Sequence, residues 1–175
     1  MNNRKYSPEY LLKQTAGARA SLLAVLIFTV VNLAMLLLEI DMYFLFSASV
    51  PFFLTRFAWG MDQDMYYLGL TSNSIGMYTY IALVISAVIL VLYLLCWLLS
   101  KKRPGWLIAA LVFFIIDTVA LLVVSLLLEI LTENILDLVI HAWVLFELIQ
   151  GISANYKLEK MIAEFDPSDP DHISF

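Results

Sequence analysis

Asp117, His141 and Glu147 are ionisable residues that stand inside apolar runs of this sequence. Charge is expensive to bury in hydrocarbon, so such residues are the first candidates for chemistry. Asp117 lies in the run Trp106 to Leu128, and His141 and Glu147 lie in the run Ile135 to Ile152. If the chain reverses near residue 133, position 117 is level with about 149 and position 125 with 141. Asp117 and Glu147 then share a depth. Two facing carboxylates in a low dielectric cannot both ionise cheaply, so the pair would hold one proton or a cation. That is the physical requirement for proton- or cation-coupled transport by a small transporter or channel.

His141 is level with Ser125 and one helical turn from Asp137. A Ser125–His141–Asp137 arrangement would let His take the Ser proton while Asp orients the ring, the logic of an intramembrane hydrolase. No GxSxG or similar glycine context surrounds Ser125, and no oxyanion donor is evident. The alternative is that His141 bonds to Ser125 or Asp137 and ties the two runs together. Asn32, central in the first apolar run, suits a hydrogen bond across helices or a substrate contact. The candidate polar site is therefore Asp117, His141, Glu147 and Asn32, with no residue assigned as catalytic. A metal centre is not expected, because His141 and His172 are the two histidines and no HExxH or EF-hand spacing occurs. No cofactor is expected either.

These residues need a scaffold, and composition says which kind. The chain has 175 residues, 62% hydrophobic and 14% charged, with mean hydropathy +0.88. Soluble domains run near half apolar and a quarter charged, so the solvent for most of this chain is lipid. The lipid bilayer is the expected environment, and the net charge of −5 gives no nucleic-acid signal. The lone cysteine, Cys96, excludes an internal disulfide.

Four segments are long enough to span: about 21–40, 77–99, 106–131 and 135–152. They should be helical, since lipid leaves no partner for unpaired backbone. The first helix is expected to begin earlier, with Ser7 as N-cap and Pro8 at the first helical position, so residues 1–20 form a cytoplasmic helical extension. Ala16, Ala20 and Ala24 then form a small-residue stripe that admits another helix, from a second copy or a membrane partner subunit. Asn134 is placed to cap the last helix. Residues 153–175 form an acidic tail, disordered from Glu164 onward. The first apolar run is too long for a cleaved signal peptide and reads as a retained anchor.

Residues 42–60 are apolar but contain Pro51 and Arg56. Nine of the ten basic residues fall in three clusters, 4–19, 101–103 and 157–160. If 42–60 spanned, the middle cluster would face outward, against the rule that cytoplasmic loops carry the excess Lys and Arg. If it does not, all three clusters and both termini are cytoplasmic. The expected fold is thus all-α: an integral membrane four-helix bundle with an added re-entrant or interfacial outer segment at 42–60. Ser49 would cap a short helix ending near Gly60, and Arg56 would pair with Asp62, Asp64 or a lipid phosphate.

The strings Tyr43-Phe44-Leu45-Phe46-Ser47-Ala48, Val50-Pro51-Phe52-Phe53, and His141-Ala142-Trp143 running on to Gly151 loosely resemble uncharacterised small multi-pass membrane proteins of Gram-positive bacteria. The resemblance carries no activity. The size and alanine-rich first helix are also similar to substrate-binding subunits of energy-coupling-factor vitamin transporters, which usually have six spans against the four here. The expectation is a non-catalytic accessory or interaction subunit of the bacterial cytoplasmic membrane. Coupled transport and hydrolysis are the rival readings, and the substrate or partner is not encoded in any motif.

Overall fold

In a computed structural model, residues 7–40, 42–71, 76–101, 103 and 105–164 are described. Arg4, Lys5, Lys102, His172 and the tail beyond residue 164 lie outside the described residues. The described residues form five helices and no strand: α1 (Pro8–Leu37), α2 (Ser49–Tyr67), α3 (Met77–Leu99), α4 (Gly105–Leu127) and α5 (Ile135–Glu164). Four of them, all but α2, are long and apolar enough to cross a membrane. Their outward faces carry large apolar side chains such as Val84, Val88, Ile116, Trp143 and Phe146. An exterior of that kind suits lipid contact, because water would penalise every one of those groups.

Local chemistry sets the helix limits. Ser7 accepts the N–H of Tyr10 at 3.3 Å, and Pro8 opens α1, as its fixed φ and missing N–H favour. α1, α2 and α4 all end in the same way. In each, a residue just past the helix turns left-handed and the next N–H reaches back five residues: Ile40 to Met35 (2.9 Å), Leu70 to Met65 (2.9 Å) and Ile130 to Ser125 (3.0 Å). The left-handed residues are Glu39, Gly69 and Glu129. Only glycine takes that conformation without a Cβ clash, so the two glutamates are under backbone strain.

Contacts between distant residues give the topology. Gln14 meets Gln150 and Ser21 meets Glu147, so α1 and α5 are antiparallel. Asp117 meets His141 on α4 and α5, and Thr55 meets Ser86 on α2 and α3. Arg19 bonds Ser100 at 3.0 Å, which sets the start of α1 beside the end of α3. The four long helices therefore alternate in direction. Lys13, Arg19, Lys101, Arg103, Lys157 and Lys160 gather toward one end of the bundle, while Arg56 lies with Asp62, Asp64, Glu133 and Asp137 toward the other. α1 and α5 pack tightly at Gly151, where an added Cβ would collide with Ala18.

Between α1 and α2 the chain folds back on itself. Asn32 holds Phe44 by both its N–H and its carbonyl, each at 2.8 Å, and donates to Ser47 Oγ at 2.8 Å. Thr29 Oγ1 accepts the N–H of Ala48 at 2.7 Å. α2 therefore starts beside Thr29, eight residues or about 12 Å below the end of α1, and runs back toward that end. Pro51 is tolerated because it sits in the first turn, where its missing N–H is not needed.

Several expected boundaries shift. α2 continues to Tyr67 and passes through Gly60 rather than stopping there. Its N-cap residue is Ala48, with no side-chain cap bond, so Ser49 does not cap it. α4 stops at Leu127, earlier than 131, because the left-handed turn at Glu129 reverses the chain. α5 does not end at 152 but runs to Glu164, as its helix-favouring residues continue past the apolar stretch. The apolar core, including Leu22, Val25, Cys96, Leu107, Phe114 and Leu148, fills the basic half of the bundle. Buried polar groups are concentrated in the other half.

Candidate functional site

The polar half is organised around Asp117, 3% exposed and midway along α4. Its Oδ2 accepts the N–H of Ser49 at 2.8 Å and its Oδ1 accepts the N–H of Val50 at 2.8 Å. A helix leaves its first N–H groups unpaired, and its N-terminus carries partial positive charge. Asp117 thus supplies from another helix the cap that Ser49 does not provide itself.

His141 completes the arrangement from α5. Its Nε2 is 3.2 Å from Asp117 Oδ2 and 3.3 Å from Ser49 Oγ, and its Nδ1 is 2.8 Å from the Asp137 carbonyl. The ring stacks on Phe114, 4.9 Å between centroids and 13° between planes. A carbonyl oxygen only accepts, so Nδ1 carries a proton by the logic of the hydrogen bonds. Nε2 then faces a carboxylate oxygen that already takes an N–H. One further proton, on Nε2 or on Asp117, satisfies that contact. Both side chains are buried, Asp117 at 3% exposure and His141 at 0%. The arrangement is not a catalytic triad: the carboxylate and the Ser49 hydroxyl share one ring nitrogen, and the second nitrogen is bound to a backbone carbonyl rather than to a carboxylate.

A hydrogen-bonded chain leads outward from there. Asp137 Oδ2 accepts from Tyr43 Oη at 2.8 Å, Tyr43 Oη accepts from Ser47 at 3.2 Å, and Ser47 is bound by Asn32. Asp137 is 2% exposed, yet its Oδ1 has no hydrogen-bond partner among the described residues. It stands at the wall of a cleft of about 640 Å³, lined by Tyr43, Phe52, Phe53, Arg56, Phe57 and Glu133 among others.

A second carboxylate caps a second helix. Asp62 on α2 accepts the N–H of Thr79 at 2.7 Å at the start of α3 and packs directly against Gly76. Burial disfavours its charge, but hydrogen bonds from Thr79 and from the N–H groups of Gly76 and Tyr78 outweigh that and hold its pKa below the ordinary value. Thr55 and Ser86 hold α2 to α3 lower down, 3.2 Å apart, with Ser86 also donating to the Pro51 carbonyl at 3.2 Å.

The structure brings Asp117, His141 and, through Ser47 and Tyr43, Asn32 into one network. It does not bring Asp117 to Glu147. Glu147 is half-buried in the basic half and accepts a hydrogen bond from Ser21. Ser125 does not reach His141 either: it donates to the Leu121 carbonyl at 2.7 Å and accepts from Asn134 at 2.9 Å. The cause is the turn. α4 and α5 mirror about residue 129 rather than 133, pairing 117 with 141 and 125 with 134. Asn134 spends its side-chain amide on Ser125, and Asn32 bonds the fold-back segment rather than a neighbouring long helix. Asp62 is taken by α3, and no ion pair joins Arg56 to Asp62 or Asp64 among the described residues; its guanidinium lies 6.0 Å over the Phe52 ring. Tyr43 and its bond to the Asp137 side chain were not singled out from sequence, and Ser49 was expected as a cap rather than as a partner of Asp117 and His141. The available signal was small hydroxyl residues in apolar segments, Ser47, Ser49, Thr55 and Ser86, each of which needs a buried partner. No group of three or more His, Cys, Asp and Glu side chains is placed to hold a metal ion among the described residues.

No protein-family model matches the chain, and neither a curated protein nor a solved structure matches it. The functional reading rests on its own geometry.

Proposed function

We propose that this chain is a multi-pass protein of the bacterial cytoplasmic membrane that acts as a non-catalytic accessory or interaction subunit. In this reading both termini are cytoplasmic, the basic end of the bundle faces inward, and residues 42–67 re-enter the outer leaflet and return. The gathering of basic residues toward one end supports the orientation. The fold-back held by Asn32 and Thr29 supports re-entry.

One observation carries the interaction role. Within the chain, α1 packs on α5 through the Ala18 ridge, where Gly151 allows close approach. Ala16 and Ala20 of the small-residue stripe stay exposed beside it. Small residues let helix backbones approach in lipid, where packing and not the hydrophobic effect drives association. Asp117 favours the same reading, because both its oxygens are committed to holding α2.

The test is crosslinking in native membranes with Cys96→Ser as background. Ala20→Cys should give a specific adduct, with a second copy or with a different membrane protein, and Ala18→Cys should give none. Absence of any Ala20→Cys adduct in correctly folded protein would reject the reading.

A further inference from the structure

We propose that the cleft between α2 and the start of α5 binds a protonated primary amine carrying an apolar body, with Asp137 Oδ1 as the acceptor for its N–H. The reasoning starts from an unsatisfied atom. A buried carboxylate oxygen without a partner is costly, and native structures rarely keep one without a reason. Asp137 Oδ2 is satisfied by Tyr43, but Oδ1 is not. The closest donor nitrogen, His141 Nδ1, is 3.8 Å away and already directed at the Asp137 carbonyl. Asp137 is itself a lining residue of the cleft.

Charge then selects the ligand's sign. Asp64, Glu133 and Asp137 line the cleft against Arg56 alone. Such a concave surface concentrates cations. The remaining wall is aromatic: Tyr43, Phe52, Phe53 and Phe57. Ring faces attract a cation, and the Arg56 guanidinium over Phe52 already uses one in this way. The same rings bury an apolar body. The volume of about 640 Å³ falls within the range of small-molecule sites. The ligand must donate N–H, since only a donor satisfies Oδ1. A quaternary ammonium has the charge but not the hydrogen. Two sources share this chemistry, a soluble arylalkylamine and the ethanolamine headgroup of a lipid.

The experiment uses the full chain in phosphatidylcholine nanodiscs, titrated calorimetrically with 2-phenylethylammonium. Saturable binding is expected. It should weaken about tenfold or more for Asp137→Asn, and by a similar factor for the trimethylated quaternary analogue, as loss of a charge-assisted hydrogen bond implies. Phe57→Ala alters only an exposed wall residue, so the protein stays folded, and it should weaken binding about fivefold. Repeating the titration in phosphatidylethanolamine nanodiscs separates the sources. A weaker apparent affinity there marks the lipid headgroup as occupant, and an unchanged one marks a soluble amine; both retain the site. The proposal is overturned by absence of binding in phosphatidylcholine, by equal binding of the primary and quaternary ions, or by an unaltered Phe57→Ala.

Discussion

Asp117, halfway along α4, caps the helix that begins at Ser49. The carboxylate reaches across the bundle to take the N–H groups of Ser49 and Val50, and His141 closes on its far side. Three helices therefore meet at one side chain, which explains why a charged residue stands in an otherwise uncharged helix.

Removing that carboxyl group should loosen α2 first. Asp117→Asn keeps the shape but can accept only one of the two N–H groups and sets its own NH2 against the other, at a cost of about 1.5–3 kcal/mol. Asp117→Leu leaves two N–H groups without an acceptor and His141 Nε2 with Ser49 Oγ alone, and should cost about 3–5 kcal/mol. Amide hydrogen exchange at Ser49 and Val50 should accelerate in both variants, ahead of the rest of the chain. Unchanged protection there would contradict the capping role.

Asn32 makes a different kind of tie, since it pins the fold-back segment to α1. Asn32→Leu deletes three hydrogen bonds and leaves the Phe44 N–H and carbonyl unpaired. A loss of about 1–3 kcal/mol is expected. Limited proteolysis should then cut between residues 42 and 48, where the native protein resists. Equal resistance in the variant would mean that other contacts hold the segment.

The left-handed residues offer a gain in stability. Glu129→Gly relieves a steric cost of about 1–2 kcal/mol and adds about 0.5–1 kcal/mol of unfolded-state freedom, so the net is a stabilisation of up to about 1.5 kcal/mol. Gly69→Ala, at the equivalent turn after α2, should move the other way by about 1 kcal/mol. Denaturation midpoints of the two variants in the same detergent check the signs.

Acid should release the second cap. The Asp62 carboxyl titrates below its ordinary value in the folded protein. Its contribution is therefore complete above the unfolded-state value of about 4, and it is lost as the pH falls through the lower folded-state value. Exchange at the Thr79 amide should speed up over that range, and Asp62→Asn should remove the pH dependence. A pH-independent Thr79 amide in the native protein would count against this.

Much of the framework was legible from the residues. The four long helices follow from long apolar runs, and the start of α1 follows from Ser7 and Pro8. Asp117, His141 and Asn32 stood out because polar groups in such runs need partners. Their partners were not legible, because a hairpin's mirror point depends on turn geometry. Glu129 adopting a left-handed turn moved that point by four residues and exchanged Glu147 for His141 as the group opposite Asp117. Nor does an apolar stretch such as 42–60 reveal how deep its helix begins. That depth is set by Thr29, Asn32 and Asp117, which are remote in sequence.

The borrowed cap also sets a timetable for synthesis. Ser49 and Asp117 are separated by 68 residues of chain. At about 5–20 residues per second, roughly 3–14 s pass between the emergence of one and the other. During that interval the start of α2 has no counter-charge to settle against. The cap on Ser49 and Val50 can close only after α4 has been made, whereas the Asn32 and Thr29 ties to the fold-back need no later helix.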